Sequence, residues 1–232
     1  MHPIVQLLFH PTQFFREAGE RPGWMAPFII ICAVSMASAW LSIPFTERAV
    51  MLTLGRTPDS STAAQAVAAT REMRMIGIAL VPVERIVRWG IVSLLLFAAV
   101  RGLSGSAVPF RTVFAVVICA QMVFAVMSIM TLLLLHLRGL EQIRSSMDLQ
   151  TVPGLDLLLP ERDRHRVWYT VLSAVNPFTV WYTMVLATGL CVTASITNRQ
   201  AYGIAIGLWV TGVAFEASMV IITQRLLAGT IG

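Results

Sequence analysis

Residues 176–195 read NPFTVWYTMVLATGLCVTAS, and this stretch decides the fold. It carries no charged side chain and is about as long as the ~20 apolar residues that cross ~30 Å of hydrocarbon. A bilayer is its natural solvent. Asn176 and Pro177 form a helix start, because proline suits the first helical turn and biases the residue before it away from helix. Gly189, Thr193 and Ser195 give the helix a small flank for close contact.

Four other stretches are of the same kind. In chain order, apolar spans are expected at residues 24–43, 76–100, 112–135, 177–196 and 202–222. The fold class is therefore all-α: a polytopic membrane bundle of five transmembrane helices with short interfacial helices. The 232 residues are 56% hydrophobic and only 12% charged, against roughly a quarter charged in soluble domains. No polar run is long enough for a second core, so one membrane domain over 24–232 is expected after an interfacial segment 1–23.

The formal charge is +5, and all 17 basic residues are arginines. They are scattered between the spans instead of forming a patch, which argues against nucleic acid and for loop and headgroup contacts. Cys32, Cys119 and Cys191 lie inside apolar spans without disulfide or zinc spacing, so neither metal nor cofactor is expected. The apolar run 4–9 is too short for a signal-peptide core and lacks a cleavage site, so nothing is expected to be removed.

Along the chain, Pro11 suits a helix start and Gly19 its end. Phe14 and Phe15 beside Arg16 and Glu17 suit a helix lying in the interface, or else a plain leader into the first span. Trp24 and Trp40 anchor that span, and Pro44 is expected to stop it. A turn at 57–59 follows, and Ser60 or Ser61 caps a helix that runs through Met75 into the second span. That span contains Pro82, Glu84, Arg85 and Arg88, and its uncharged part from Trp89 is too short to cross. Glu84 and Arg88 can pair at helical i,i+4 spacing, or the span begins near Ile86 with the arginines snorkelling to headgroups. In the third span Gln121 reads as interhelical glue, and His136 ends it at the interface. The apolar piece LDLLLP at 155–160 is too short to cross and reads as re-entrant or interfacial. The charged run after it, including His165, reads as solvated, and Trp168 and Tyr169 suit an interfacial helix.

In the fifth span, Gly203, Gly207, Thr211, Ala214 and Ser218 fall on one narrow stripe. Small residues in such a stripe make a packing seam, within the chain or between copies, and the former is favoured. Glu216 points the other way, and a carboxylate inside a span costs ~2.5–3.5 kcal/mol unless it has a partner or water. Depth groups it with Arg85 and Arg88, while Asn176 and His136 open on the same side. The expectation is a polar pocket of Glu84, Arg85, Arg88, His136, Asn176 and Glu216 for a lipid headgroup or small polar ligand. A purely structural ion pair is the equal alternative.

Several pieces, in this order and spacing, resemble the Yip domain family of Ypt/Rab-interacting proteins and their prokaryotic relatives. They are HPTQFF, RPGWMAPF opening the first span, RGLSGS with Phe110, LDLLLP, NPFTVWYTMVLATGL, and a terminal span after NRQAYG. The resemblance implies a five-span protein with no established catalytic residues. Many members carry a proline in the third span where this chain reads Gln121, Met122 and Val123, so no kink is carried over. The long N-terminal extension of eukaryotic members has no counterpart here, so no Rab-type GTPase is implied and a prokaryotic plasma membrane is the expected home.

Three function classes compete. An intramembrane enzyme needs a zinc pair on a helix, a serine elbow with a histidine in the spans, or paired carboxylates, and the sequence offers none. A solute or lipid transporter is the alternative reading, supported by Glu216, the Glu84 to Arg88 cluster and Asn176–Pro177. The favoured reading is a non-catalytic scaffold or adaptor that binds membrane lipids, itself or another membrane protein. Five spans put the termini on opposite sides. Arginine counting favours an external N-terminus, the resemblance a cytoplasmic one, and the resemblance is followed.

Overall fold

A computed structural model describes residues 3–19, 22–53, 61–143, 149, 152, 154–158 and 167–229. Among them there is no strand. The α-helices are α1 Pro3–Phe9, α2 Pro11–Ala18, α3 Met25–Leu41, α4 Ile43–Thr53, α5 Ser61–Ser104, α6 Phe110–Arg138, α7 Val167–Ser173, α8 Pro177–Ala194 and α9 Asn198–Gly229. Short 3-10 turns lie at Leu140–Gln142 and Leu155–Leu158.

Among the described residues four stretches are long and apolar enough to cross a membrane: Val67–Ser104, Phe110–Arg138, Pro177–Ala194 and Asn198–Thr223. A fifth crossing arises if α3 and the first part of α4, bent by 45°, count as one span. The chain is thus a multi-pass membrane protein with four to five spans.

The deciding stretch folds as its sequence dictates. Asn176 is extended (φ −133°, ψ 163°) and its side chain accepts from Thr179 N at 2.9 Å, while Pro177 opens α8. The helix ends where Ser195 turns left-handed at φ 52°. At the N-terminus Pro11 likewise starts α2, and Gly19 ends it at φ 63°, a region glycine enters without strain.

One expectation about a helix end needs correction. Pro44 does not stop the first span. It sits in the first turn of α4, where it lacks the N–H that would bond the Trp40 carbonyl and its ring crowds that carbonyl, so the path bends instead of ending. Ser42 N still donates to Ser38 O at 3.0 Å and Thr46 N to Ser42 O at 3.2 Å, which carries the helical chain across the bend. Pro82 does not interrupt α5 either, and a 44-residue helix is about 66 Å long, well beyond the hydrocarbon thickness. The expected run from Met75 into the second span holds. α6 passes Gln121 without a break. The turn at 57–59, Ser60 and His165 lie outside the described residues.

The chain forms two compact units that interleave in sequence. One comprises residues 1–24, 91–123 and 153–232, the other 25–90 and 124–152. In the first, the core is the α6 run Val113, Ala115, Val116, Val117, Ile118 and Cys119 with Leu186 and Leu190 of α8, all buried. Rings line one side of it: Trp24 meets Phe114 at 5.5 Å, Phe114 stacks on Phe110 at 6.1 Å, and Phe110 meets Phe97 at 5.9 Å. The second unit has its own small core of Phe45, Ala49, Leu135 and Ile143. There Phe28 also meets the buried Trp89 edge-on at 6.0 Å.

Candidate functional site

The N-terminal helices pack along α8. Phe15 is fully buried, packed where Gly189 of α8 has no side chain, and Trp181 Nε1 donates to Leu8 O at 3.0 Å. Trp181 and Gly189 are eight positions apart, about 12 Å along α8, so α1 and α2 follow a good part of that helix. The small flank read at Gly189 is used, with an aromatic plug from α2 as its occupant. Gln6, also buried, donates to Glu17 at 2.8 Å, and Gln13 does the same at 2.8 Å. These two amides hold the Glu17 carboxyl below its ordinary range, Gln6 contributing most.

The expected pocket residues are placed as follows. Glu84 pairs with Arg85 at 3.3 Å and with Arg88 at 3.9 Å, so the i,i+4 pairing holds. Both Glu84 and Arg88 are exposed, whereas Arg85 is turned inward and lies over the Trp89 ring at 5.8 Å. Arg85 Nε is buried without a hydrogen bond in good geometry although Glu84 is near, so the contact is an ion pair by distance alone. His136 bonds the Leu132 carbonyl of its own helix at 2.9 Å and packs edge-on against Phe45 at 5.1 Å. Asn176 is occupied by capping: besides accepting from Thr179 it donates to Ser173 O at 3.1 Å. Glu216 is exposed on α9 and has no ion pair among the described residues.

The stripe on α9 is also exposed, at Gly203, Gly207, Thr211, Ala214 and Ser218 alike. A methyl group added at Gly203 or Gly207 would meet nothing within 4 Å. Within its own unit no helix is seated on this stripe at those glycines. The buried face of α9 carries Ala201, Ile204 and Ala205 instead. Thr211 and Ser218 turn their hydroxyls back onto Gly207 O at 2.8 Å and Ala214 O at 2.7 Å, leaving a smooth face without free donors.

One site was not read from the sequence. A groove of about 660 Å³ runs between α5 and the α3–α4 bend, lined by Ala39, Thr46, Met73, Gly77, Ile78 and Val81 with Arg74 among them. Its signal was present in the spacing, since Arg74, Ile78, Val81, Arg85 and Trp89 recur at helical intervals and are all partly or fully covered. Arg74 donates through one Nη to Thr46 Oγ1 and through the other to Ser42 Oγ at 3.3 Å. Those hydroxyls in turn donate to Ser42 O at 3.1 Å and Ala39 O at 3.0 Å. Their protons are committed to the helix, so only lone pairs face the guanidinium. No carboxylate pairs with Arg74 among the described residues, the nearby ion pair being Arg71 with Glu47 at 4.0 Å. The described residues hold no cluster of three or more His, Cys, Asp or Glu with metal-binding geometry.

The sequence model described as the Yip1 domain matches residues 5–219. No curated protein and no solved structure matches the chain.

Proposed function

The chain belongs to the Yip1 domain family, and from that premise we propose that it is a non-catalytic membrane scaffold or adaptor that binds lipids, another membrane protein or a second copy of itself. The α9 face supports this reading. Lipid tails do not require small side chains at a helix surface, whereas an approaching helix does, because its backbone gains dispersion contact only at short range. Gly203 and Gly207 lie open at that surface. The transport alternative drew on the polar pocket. Asn176 spends its amide on helix backbone and His136 its Nδ1, so neither is held ready for a ligand by a polar pocket, and we give the scaffold more weight. As the likeness to prokaryotic members implies, we infer a plasma-membrane location with a cytoplasmic N-terminus.

The test is association in mild detergent. Wild type, Gly207→Leu and the outward-facing control Val210→Leu are compared for oligomeric state and co-purifying membrane proteins. The scaffold reading expects Gly207→Leu alone to lose association while keeping the wild-type melting temperature. Unchanged association in Gly207→Leu would sink it.

A further inference from the structure

We propose that the groove around Arg74 seats one anionic phospholipid, its phosphate on the guanidinium and an acyl chain along Gly77, Ile78 and Val81. This deepens the scaffold reading by naming the class of lipid and where it is held. Charge is the first argument. Arg74 is half-buried among apolar walls and meets only neutral hydroxyls. A guanidinium has more N–H donors than the two used here, in a planar fork that matches phosphate oxygens. Desolvating such a charge is costly unless an anion compensates it, and among the described residues none does.

Shape and position supply the rest. The floor at Gly77 is open, with nothing within 4 Å of the place a methyl group would take. The walls toward Val81 offer no group that would bond a sugar or a peptide, and suit hydrocarbon. The groove also points the right way. From Arg74 toward Val81 it follows α5 in the direction of the uncharged run ending at Val100, which is the part of the helix that must lie in hydrocarbon. A crossing of ~20 residues ending near Val100 begins near Val81 and leaves Arg74 about 10 Å further out, at headgroup depth. The phosphate therefore meets the arginine while the chain runs inward. A zwitterionic lipid would bring its own ammonium to the same place and gain less.

The full chain, purified in a neutral detergent, is tested by native mass spectrometry with phosphatidylglycerol and phosphatidylcholine of identical acyl chains. Wild type is expected to retain phosphatidylglycerol about tenfold better, the weight of one charge-assisted contact. Arg74→Gln should abolish that preference and Arg74→Lys should restore part of it. Gly77→Leu, which blocks the groove and leaves the charge, should lower retention of both lipids. Arg138→Gln, an exposed arginine elsewhere, should change nothing. A folded Arg74→Gln protein with undiminished preference overturns the proposal. So does Gly77→Leu retaining both lipids as wild type does, and so does displacement of the lipid by millimolar glycerol phosphate, which would make the site a free-phosphate site. Should Arg74→Gln not fold, brominated lipids read the site in the otherwise intact chain: Ile78→Trp fluorescence should be quenched more by brominated phosphatidylglycerol than by brominated phosphatidylcholine. Equal quenching overturns the proposal. Because the scaffold test reads association through α9, loss of either result leaves the other standing.

Discussion

Phe15 fills the notch that Gly189 leaves in α8: a methyl group at Gly189 would lie 2.9 Å from the phenyl Cε2 and Cζ atoms and 2.6 Å from Val116 Cγ1. Alanine in place of glycine gains about 1 kcal/mol of helix propensity, while overpacking costs typically ~1–3 kcal/mol. Gly189→Ala is therefore expected to be neutral to destabilising, and Gly189→Leu to be plainly destabilising. Phe15→Ala leaves a cavity, and in the double variant the leucine should reoccupy it and recover part of the loss. Thermal unfolding of the two singles and the double in detergent measures that coupling, and strict additivity would refute the plug.

Stability should also depend on pH through Glu17. Its carboxyl is held below the ordinary value of 4.5 by hydrogen bonds, first from Gln6 and then from Gln13. A lowered folded value means that the docked form of α1 and α2 is favoured fully above the ordinary value. That advantage is lost as pH falls through the lowered one. Fluorine NMR of fluorotryptophan-labelled protein, with the Trp181 line assigned by Trp181→Phe, should show the line shift on acidification. In Glu17→Gln that pH dependence should vanish. An unaltered pH response in Glu17→Gln would assign the change to another group.

Capping at Asn176 is the third measurable element. Asn176→Ala removes both the bond to Thr179 N and the one to Ser173 O, and loss of an N-cap costs about 0.5–2 kcal/mol. Asn176→Asp keeps the acceptor and forfeits the donor, so it should lie between the two in melting temperature. If it matches alanine, the cap does not matter and the tie to Ser173 does.

Pro44 gives the fourth. Pro44→Ala restores an N–H that can bond Trp40 O, and the 45° bend should relax toward a straight helix. Spin labels replacing the exposed Ala33 and Leu52 would then move apart. A distance unchanged from wild type would assign the bend to Ser42 and its neighbours.

How much of this was legible beforehand follows from the kind of signal each element leaves. α8 was readable from its start onward, because Asn176 and Pro177 are start signals by chemistry and the run after them is uncharged. The bend at Ser42 was missed because a proline after an apolar run is the same letter whether it ends a helix or opens the next. The burial of Phe15 was missed for a related reason: an aromatic beside Arg16 and Glu17 looks alike whether it faces headgroups or a glycine notch. For the Arg74 groove the difficulty was the length of α5. Charges along a continuous helix read as a solvated face, and only the placement of Ser42 and Thr46 on the far wall distinguishes Arg74 from its neighbour Arg71. The seam on α9 was visible as a stripe, but spacing alone does not say which side of a helix a bundle covers.

The bond from Trp181 to Leu8 joins residues 173 positions apart, which sets a timetable for biosynthesis. At ~5–20 residues per second, roughly ten to thirty seconds pass between synthesis of Leu8 and synthesis of its partner. Through that interval Phe15 and Gln6 have emerged from the ribosome while the helix that covers them does not yet exist. The hairpin of α1 and α2 is thus made well before it can dock, and whatever shields an aromatic side chain during insertion must release it when α8 arrives.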